Sequence, residues 1–128
     1  MEYCIFVDKK IGETTSELAD RVKSETGANK AVICGKLDPM AHGITRALLD
    51  ENTKLMEQHL NHNKTYEFNI VFNIKTDTDD IMGLITDYTP IDVDPYDLEN
   101  YLKQLSIETQ QHFHPFSAIK IRIDDKNI

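Results

Sequence analysis

Asp38 stands in "GKLDPMAHG", residues 35 to 43, with a proline after it and a glycine at each end of the segment. One acid in so constrained a stretch has two readings. Asp-Pro starts turns and glycine supplies unusual backbone angles, so the segment reads as a structural turn. It also reads as a loop that holds Asp38 for chemistry. A carboxylate held still can stabilise developing positive charge or act as a nucleophile. Other residues offer chemistry less firmly. His59 and His62 are three apart, and "HFH" supplies His112 and His114, but no cysteine or carboxylate pattern completes either pair at a ligand spacing, so no metal site is expected. "TDTDD", residues 76 to 80, alternates oxygens as a calcium loop does. It lacks the later glycine and bidentate glutamate of an EF-hand and reads as a hairpin corner built from Asx-turns. There is no GxGxxG, no Walker sequence and no serine-centred nucleophile elbow.

The elements that must position Asp38 follow from periodicity. "YCIFVD" (3–8) is a short apolar run that reads as a buried strand. Thr14 and Glu17 have capping-box spacing, and Leu18, Ala19 and Val22 give the next segment a helical face that Gly27 stops. "KAVIC" (30–34) reads as a second strand and leads straight into the Asp38 loop. "ITRALLD" (44–50) suits a strand or a helix equally, and "NTKLMEQHLN" (52–61) reads as a short helix. "YEFNIVFNIK" (66–75) has the clearest period of two: Tyr66, Phe68, Ile70, Phe72 and Ile74 alternate with Glu67, Asn69, Val71, Asn73 and Lys75. It predicts a long strand with one buried face, and "GLITDY" (83–88) its antiparallel partner. "DPYDLENYLKQL" (94–105) predicts a helix capped by Asp94, with Pro95 in its first turn and Leu98, Tyr101, Leu102 and Leu105 turned inward. "SAIKIRID" (117–124) alternates again and predicts a strand without its return partner, an edge open to pairing with another chain. The expected fold class is α+β, a mixed and largely antiparallel sheet with flanking helices.

Length and charge bound the answer. A chain of 128 residues, 40% apolar and 28% charged, is expected to form a single domain, 1–128, in a soluble protein. No apolar run approaches the roughly 18 residues a membrane span needs, and the N-terminus has no basic leader. Cys4 and Cys34 make no disulfide framework, and reduced thiols in the cytoplasm are expected. The net charge of −8 is unevenly placed: residues 1–64 hold 9 basic and 10 acidic residues, residues 65–128 hold 5 and 12. A polyanion would therefore avoid the second half and meet the first.

In order along the chain, "FVDKKIGETTSELADRVK", "CGKLDPMAHG", "ENTKL", "NKTYEFNIVFNIKTDTDDIMGLI" and "QQHFHPFSAIKI" resemble the motifs of the TruB-type tRNA pseudouridine synthases, in the bacterial branch rather than that of dyskerin. Five collinear motifs carry far more weight than "LDP" alone. The resemblance implies an enzyme that isomerises a uridine of the tRNA T loop to pseudouridine, with no cofactor. Asp38 matches the family's catalytic aspartate. Tyr66, in "KTY", matches its active-site tyrosine, on which a flipped base stacks and whose phenol can help move the C5 proton. Without the resemblance Tyr66 would read as a core aromatic. Lys9, Lys36 and Lys64 are either phosphate contacts or solvated lysines.

The chain also departs from the family. Ile33 in "VICG" stands where a histidine is expected beside the RNA, and Lys10 replaces a proline. Lys36 and His42 occupy positions usually small or hydroxylic and are candidates for RNA contact. The arginine of the family's "YIR"-like motif, which pairs with the catalytic aspartate, has no counterpart here, nor has a PUA-type domain. The expected identity is thus the N-terminal portion of a catalytic domain. A non-catalytic RNA-binding remnant, or a subunit of a larger assembly, is the alternative. A second polypeptide, or a second copy meeting the 117–128 edge, would supply the missing pairing.

Overall fold

A computed structural model describes residues 4–107 and 110. The chain divides into two compact units, Met1–Glu67 and Phe68–Ile128. In the first, β1 (Cys4–Lys9) leads to α1 (Thr15–Thr26), then β2 (Ala31–Cys34) and β3 (Gly43–Leu49), a 3-10 turn (Asp50–Leu55) and α2 (Met56–Leu60). The strand order is β1-β3-β2, and both outer strands run antiparallel to β3. "ITRALLD", open to two readings in sequence, is thus mostly the central strand. An α+β architecture is what the sequence implied.

Local chemistry explains α1. Thr14 accepts from the Glu17 backbone N–H at 3.2 Å, while the Glu17 carboxylate accepts from the Thr14 N–H at 2.8 Å. Those two bonds satisfy amides that a helix start leaves bare. Gly27 closes the helix in the left-handed region, its N–H donating to Lys23 O. Leu18 and Val22 then bury against Ile33, Ala47 and Leu49 on one face of the sheet. Full burial of a side chain such as Leu18 is worth about 2 kcal/mol. Alternation sends Phe6, Cys34, Ile44 and Arg46 to the other face, and Phe6 and Cys34 lie directly across from Arg46 on the two neighbouring strands.

The second unit contains a two-stranded hairpin, β4 (Ile74–Thr76) and β5 (Ile85–Tyr88), and then α3 (Pro95–Leu105). The long strand expected over 66–75 is corrected: only Ile74–Thr76 pairs. Asn73 adopts a left-handed φ of 70°, which breaks the extended run just before β4. Its carbonyl accepts from Thr89 and its side chain from Ile91. Period two marks a face suited to burial, but a strand also needs a neighbour to share its hydrogen bonds. Between 66 and 72 no such neighbour occurs among the described residues, and Tyr66 to Phe72 are all exposed. Capping of α3 follows the sequence, with Asp94 accepting from Tyr96 N–H at 2.7 Å and Pro95 at the first position. Its apolar face does not turn inward as expected: Tyr101, Leu102 and Leu105 are exposed. The predicted strand 117–124 lies outside the described residues.

Candidate functional site

The loop between β2 and β3 carries Asp38, and its two ends need backbone angles that side chains resist. Gly35 has φ +100° and Gly43 φ +128°, both in the region that favours glycine. The loop between them is tied from outside. Lys9, at the end of β1, pairs with Gly43 and lies beneath the loop with no exposed surface. Its Nζ donates to Ala41 O at 2.7 Å, Lys10 O at 3.3 Å and Pro39 O at 3.4 Å. Three N–H groups meeting three carbonyls satisfy the whole head group. Gly12 N–H adds a second bond to Pro39 O at 2.7 Å, and Ala41 N–H closes a turn on Asp38 O at 2.9 Å.

The turn that carries Gly12 is itself fixed. Glu13 accepts from Arg21 Nε at 2.8 Å and from Lys10 N–H at 3.1 Å, and Arg21 Nη2 donates to Asp8 O at 2.8 Å. The Arg21 hydrogen bond holds the Glu13 carboxyl down to about 2, and Glu13 in turn raises Arg21. So β1, the 10–13 turn and α1 all converge on the backbone of 39–41.

Asp38 itself is exposed, and its carboxylate makes no hydrogen bond or ion pair among the described residues. The backbone is held while the acid is left unengaged. That is the arrangement a reacting group needs, because its lone pairs face outward and little reorganisation is required.

Beside the loop is a cavity of about 250 Å³ on the sheet face opposite α1. Gly35, Lys36 and Leu37 of the loop line it, with Arg46 and Phe6 from the strands, His59 and His62, and Lys64 to Tyr66. Tyr66 is 64% exposed, a free ring rather than a core aromatic. The expected residues therefore separate into three places. Lys36, Lys64 and Tyr66 share the cavity; Asp38 and His42 lie exposed on the adjoining loop, outside the lining. Lys9 is a correction: it is buried beneath the loop as its tether, and its head group is not available to a phosphate. Ile33 belongs to the core with Leu18 and Ala47 and offers no group to a ligand.

The sequence presents His59 and His62 only as an incomplete metal pair and marks Arg46 by no motif. Arg46 sits in a run whose secondary structure was ambiguous, so its face was undetermined. Only strand pairing shows it opposite Phe6, with its guanidinium 5.4 Å from the ring centroid. In "TDTDD" the carboxylates of Asp77 and Asp80 are engaged as hairpin chemistry requires. Asp77 Oδ1 accepts from Leu84 N–H at 2.8 Å, and Asp80 Oδ1 from Thr78 Oγ1 at 2.7 Å and Met82 N–H at 2.8 Å.

A sequence model described as "TruB family pseudouridylate synthase (N terminal domain)" matches residues 23–124. The chain is 33% identical over 122 residues to a protein named tRNA pseudouridine synthase B of Aquifex aeolicus, covering 95% of this chain and 42% of that one. It is 34% identical over 122 residues to the protein of the same name from Caldicellulosiruptor saccharolyticus, with the same coverage of both. The Mesoplasma florum counterpart is 32% identical over 119 residues, covering 91% and 42%. The chain thus spans about two-fifths of the length of these relatives. The loop that presents Asp38, the collinear motifs and these matches place the chain in the TruB family of pseudouridylate synthases, within its N-terminal domain.

Proposed function

We propose that this chain is the N-terminal portion of a TruB-type catalytic domain that isomerises a T-loop uridine of tRNA to pseudouridine, with Asp38 as the catalytic carboxylate. The observation that carries the reading is the contrast within one loop: Lys9 and Gly12 clamp the backbone at 39–41 while the Asp38 carboxylate stays exposed and unengaged. Breaking the N-glycosidic bond leaves positive charge on the ribose, which Asp38 stabilises or captures. The uracil then turns and rejoins the sugar through C5, and the C5 proton leaves. Atoms balance without a cofactor, because product and substrate are isomers. In this reading Tyr66 supplies a ring for the extruded base, and its phenol helps to move the C5 proton.

Lys36, Lys64 and His42 meet the RNA in this reading. A further polypeptide segment carries the arginine that partners Asp38. The site of action is the cytoplasm; among the described residues no helix is long and apolar enough to cross a membrane. A non-catalytic RNA-binding subunit is the second reading, favoured by Ile33, which is packed in the core where the family has a histidine near RNA.

The test is pseudouridine mapping on a T-loop hairpin. The chain is assayed alone, and with the remaining portion of a related synthase added in trans. An active parent with an inactive Asp38→Asn supports the enzyme. Equal activity in both removes Asp38 from the mechanism. RNA binding without turnover in every arm supports the second reading.

A further inference from the structure

Five groups able to carry positive charge line the cavity: Lys36, Arg46, His59, His62 and Lys64. Among the described residues no carboxylate is in the lining. Elsewhere four cations are neutralised, Arg21 by Glu13, Lys23 by Asp20, Lys54 by Glu51 and Lys103 by Glu99, while Lys9, Lys10, Lys30 and Lys75 make no ion pair among the described residues but are not gathered in a cavity. Lys36, Arg46 and Lys64 make no ion pair among the described residues. In a chain of net charge −8, acids are plentiful, so a concave site with bases alone is a focus of positive potential.

The cluster is also ordered. Arg46 is half-buried on the central strand, and its guanidinium is held over Phe6. A planar cation fixed in this way loses little freedom when it grips an oxyanion with two N–H groups. Lys64 reaches back over the start of the Asp38 loop: a β-carbon at Gly35 would lie 3.9 Å from its Nζ. The His59 and His62 rings are 5.4 Å apart and tilted by 51°. His59 Nδ1 is buried and has no hydrogen-bond partner among the described residues. Partial desolvation by its neighbours, and then the positive fields of Arg46, His59 and Lys64, hold the exposed His62 below its ordinary range. A field that resists a proton draws an anion, and an anion in turn brings the proton back.

The geometry points to a phosphate subsite formed by Lys36, Arg46, Lys64 and the His59–His62 pair, which holds a backbone phosphodiester of the RNA next to the nucleotide that stacks on Tyr66. This rests on the functional reading above for the identity of the RNA. The RNA backbone is preferred to free phosphate because Tyr66 lines the same cavity and is exposed. A base stacked on that ring brings its own phosphate toward the cations. The volume, about 250 Å³ against about 30 Å³ for a water molecule, suits a nucleotide-sized fragment.

The whole chain is titrated while the histidine ring resonances are followed by NMR, with uridine, uridine 5′-monophosphate, inorganic phosphate and a T-loop RNA hairpin as ligands. The phosphate-bearing ligands should raise the titration midpoint of His62, and uridine should not. Hairpin affinity should fall about tenfold in Arg46→Ala, with the slope of log affinity against log salt reduced by about one. Lys64→Ala and His62→Gln alter exposed residues, cannot unfold the sheet, and should weaken the hairpin in the same sense. Lys103→Ala should change nothing. Unchanged hairpin affinity in Lys64→Ala and His62→Gln, with His62 indifferent to phosphate, overturns the subsite. Inorganic phosphate bound as tightly as the hairpin overturns the assignment to RNA. Hairpin binding that depends on these cations, without pseudouridine from any assembly, supports the subsite and overturns the functional reading alone.

Discussion

The loop from Gly35 to Gly43 and the turn from Thr76 to Gly83 both set acids close to glycine, and they use them in opposite ways. In the turn the acids do the holding. Asp77 and Asp80 accept from the backbone N–H groups of Leu84 and Met82, and Thr76 Oγ1 donates to Asp80 O at 2.8 Å. In the loop the holding is done from elsewhere in the chain, by Lys9 from β1 and by Gly12 from the following turn, and Asp38 is left over. A carboxylate already bonded to amides is poor at new chemistry, since those bonds must first be broken. One left exposed on a clamped backbone is available at once. Composition alone, acids beside glycines, does not separate the two cases. What the acids bond to does.

The largest expected effect is on the free acid. Asp38→Asn should lower pseudouridine formation at least about 10³-fold, equivalent to roughly 4 kcal/mol of barrier. Thermal stability should stay within about 0.5 kcal/mol, because no bond is lost. A stability loss of several kcal/mol would make Asp38 a structural acid like Asp80.

Next is the clamp. Lys9→Met keeps the stem but leaves the carbonyls of Lys10, Pro39 and Ala41 without their donor, and should cost about 3 kcal/mol in denaturant unfolding. Amide exchange at residues 39–43 should speed up before the rest of the sheet does. Unchanged protection there would show that Gly12 alone secures the loop.

Gly83→Ala tests the turn. An added β-carbon would collide with Thr78 Oγ1 and come within 2.5 Å of Asp77 Oδ1. A loss of about 2 kcal/mol is expected, together with exchange of the Leu84 amide, and no change at Asp38. Wild-type protection at Leu84 would mean that the acids tolerate rearrangement.

The smallest effect belongs to the distant brace of the loop. Glu13 has its folded pKa lowered from 4.5 to about 2, chiefly by the Arg21 hydrogen bond. Its contribution is present above the ordinary value and disappears as pH falls toward the folded one. Partial exposure of the pair limits it to less than about 1 kcal/mol. Glu13→Gln should remove that slope from an acid unfolding profile, and an identical profile in the variant would place the acid sensitivity elsewhere.

The chain's own letters determined whatever depends on neighbours a few residues away. Thr14 with Glu17, Gly27, and Asp94 with Pro95 are caps whose partners lie within one turn, and each is formed as its spacing implies. The hairpin acids at 77 and 80 are equally local. The motif around Asp38 was legible too, as a pattern. Tertiary structure decided what required a partner far along the chain. Alternation from Tyr66 to Lys75 specified a face without supplying a pairing strand, so only Ile74–Thr76 became a ladder. Lys9 read as a surface cation because its type is nearly always solvated; carbonyls 30 and 32 residues later bury it. Arg46, His59 and His62 carry no motif, and only the tertiary fold, with Arg46 on β3 and His59 on α2, gathers them beside Lys36 and Lys64. Hydrogen bonds within a turn are encoded by spacing, whereas charge gathered across strands exists only once the strands have chosen their register.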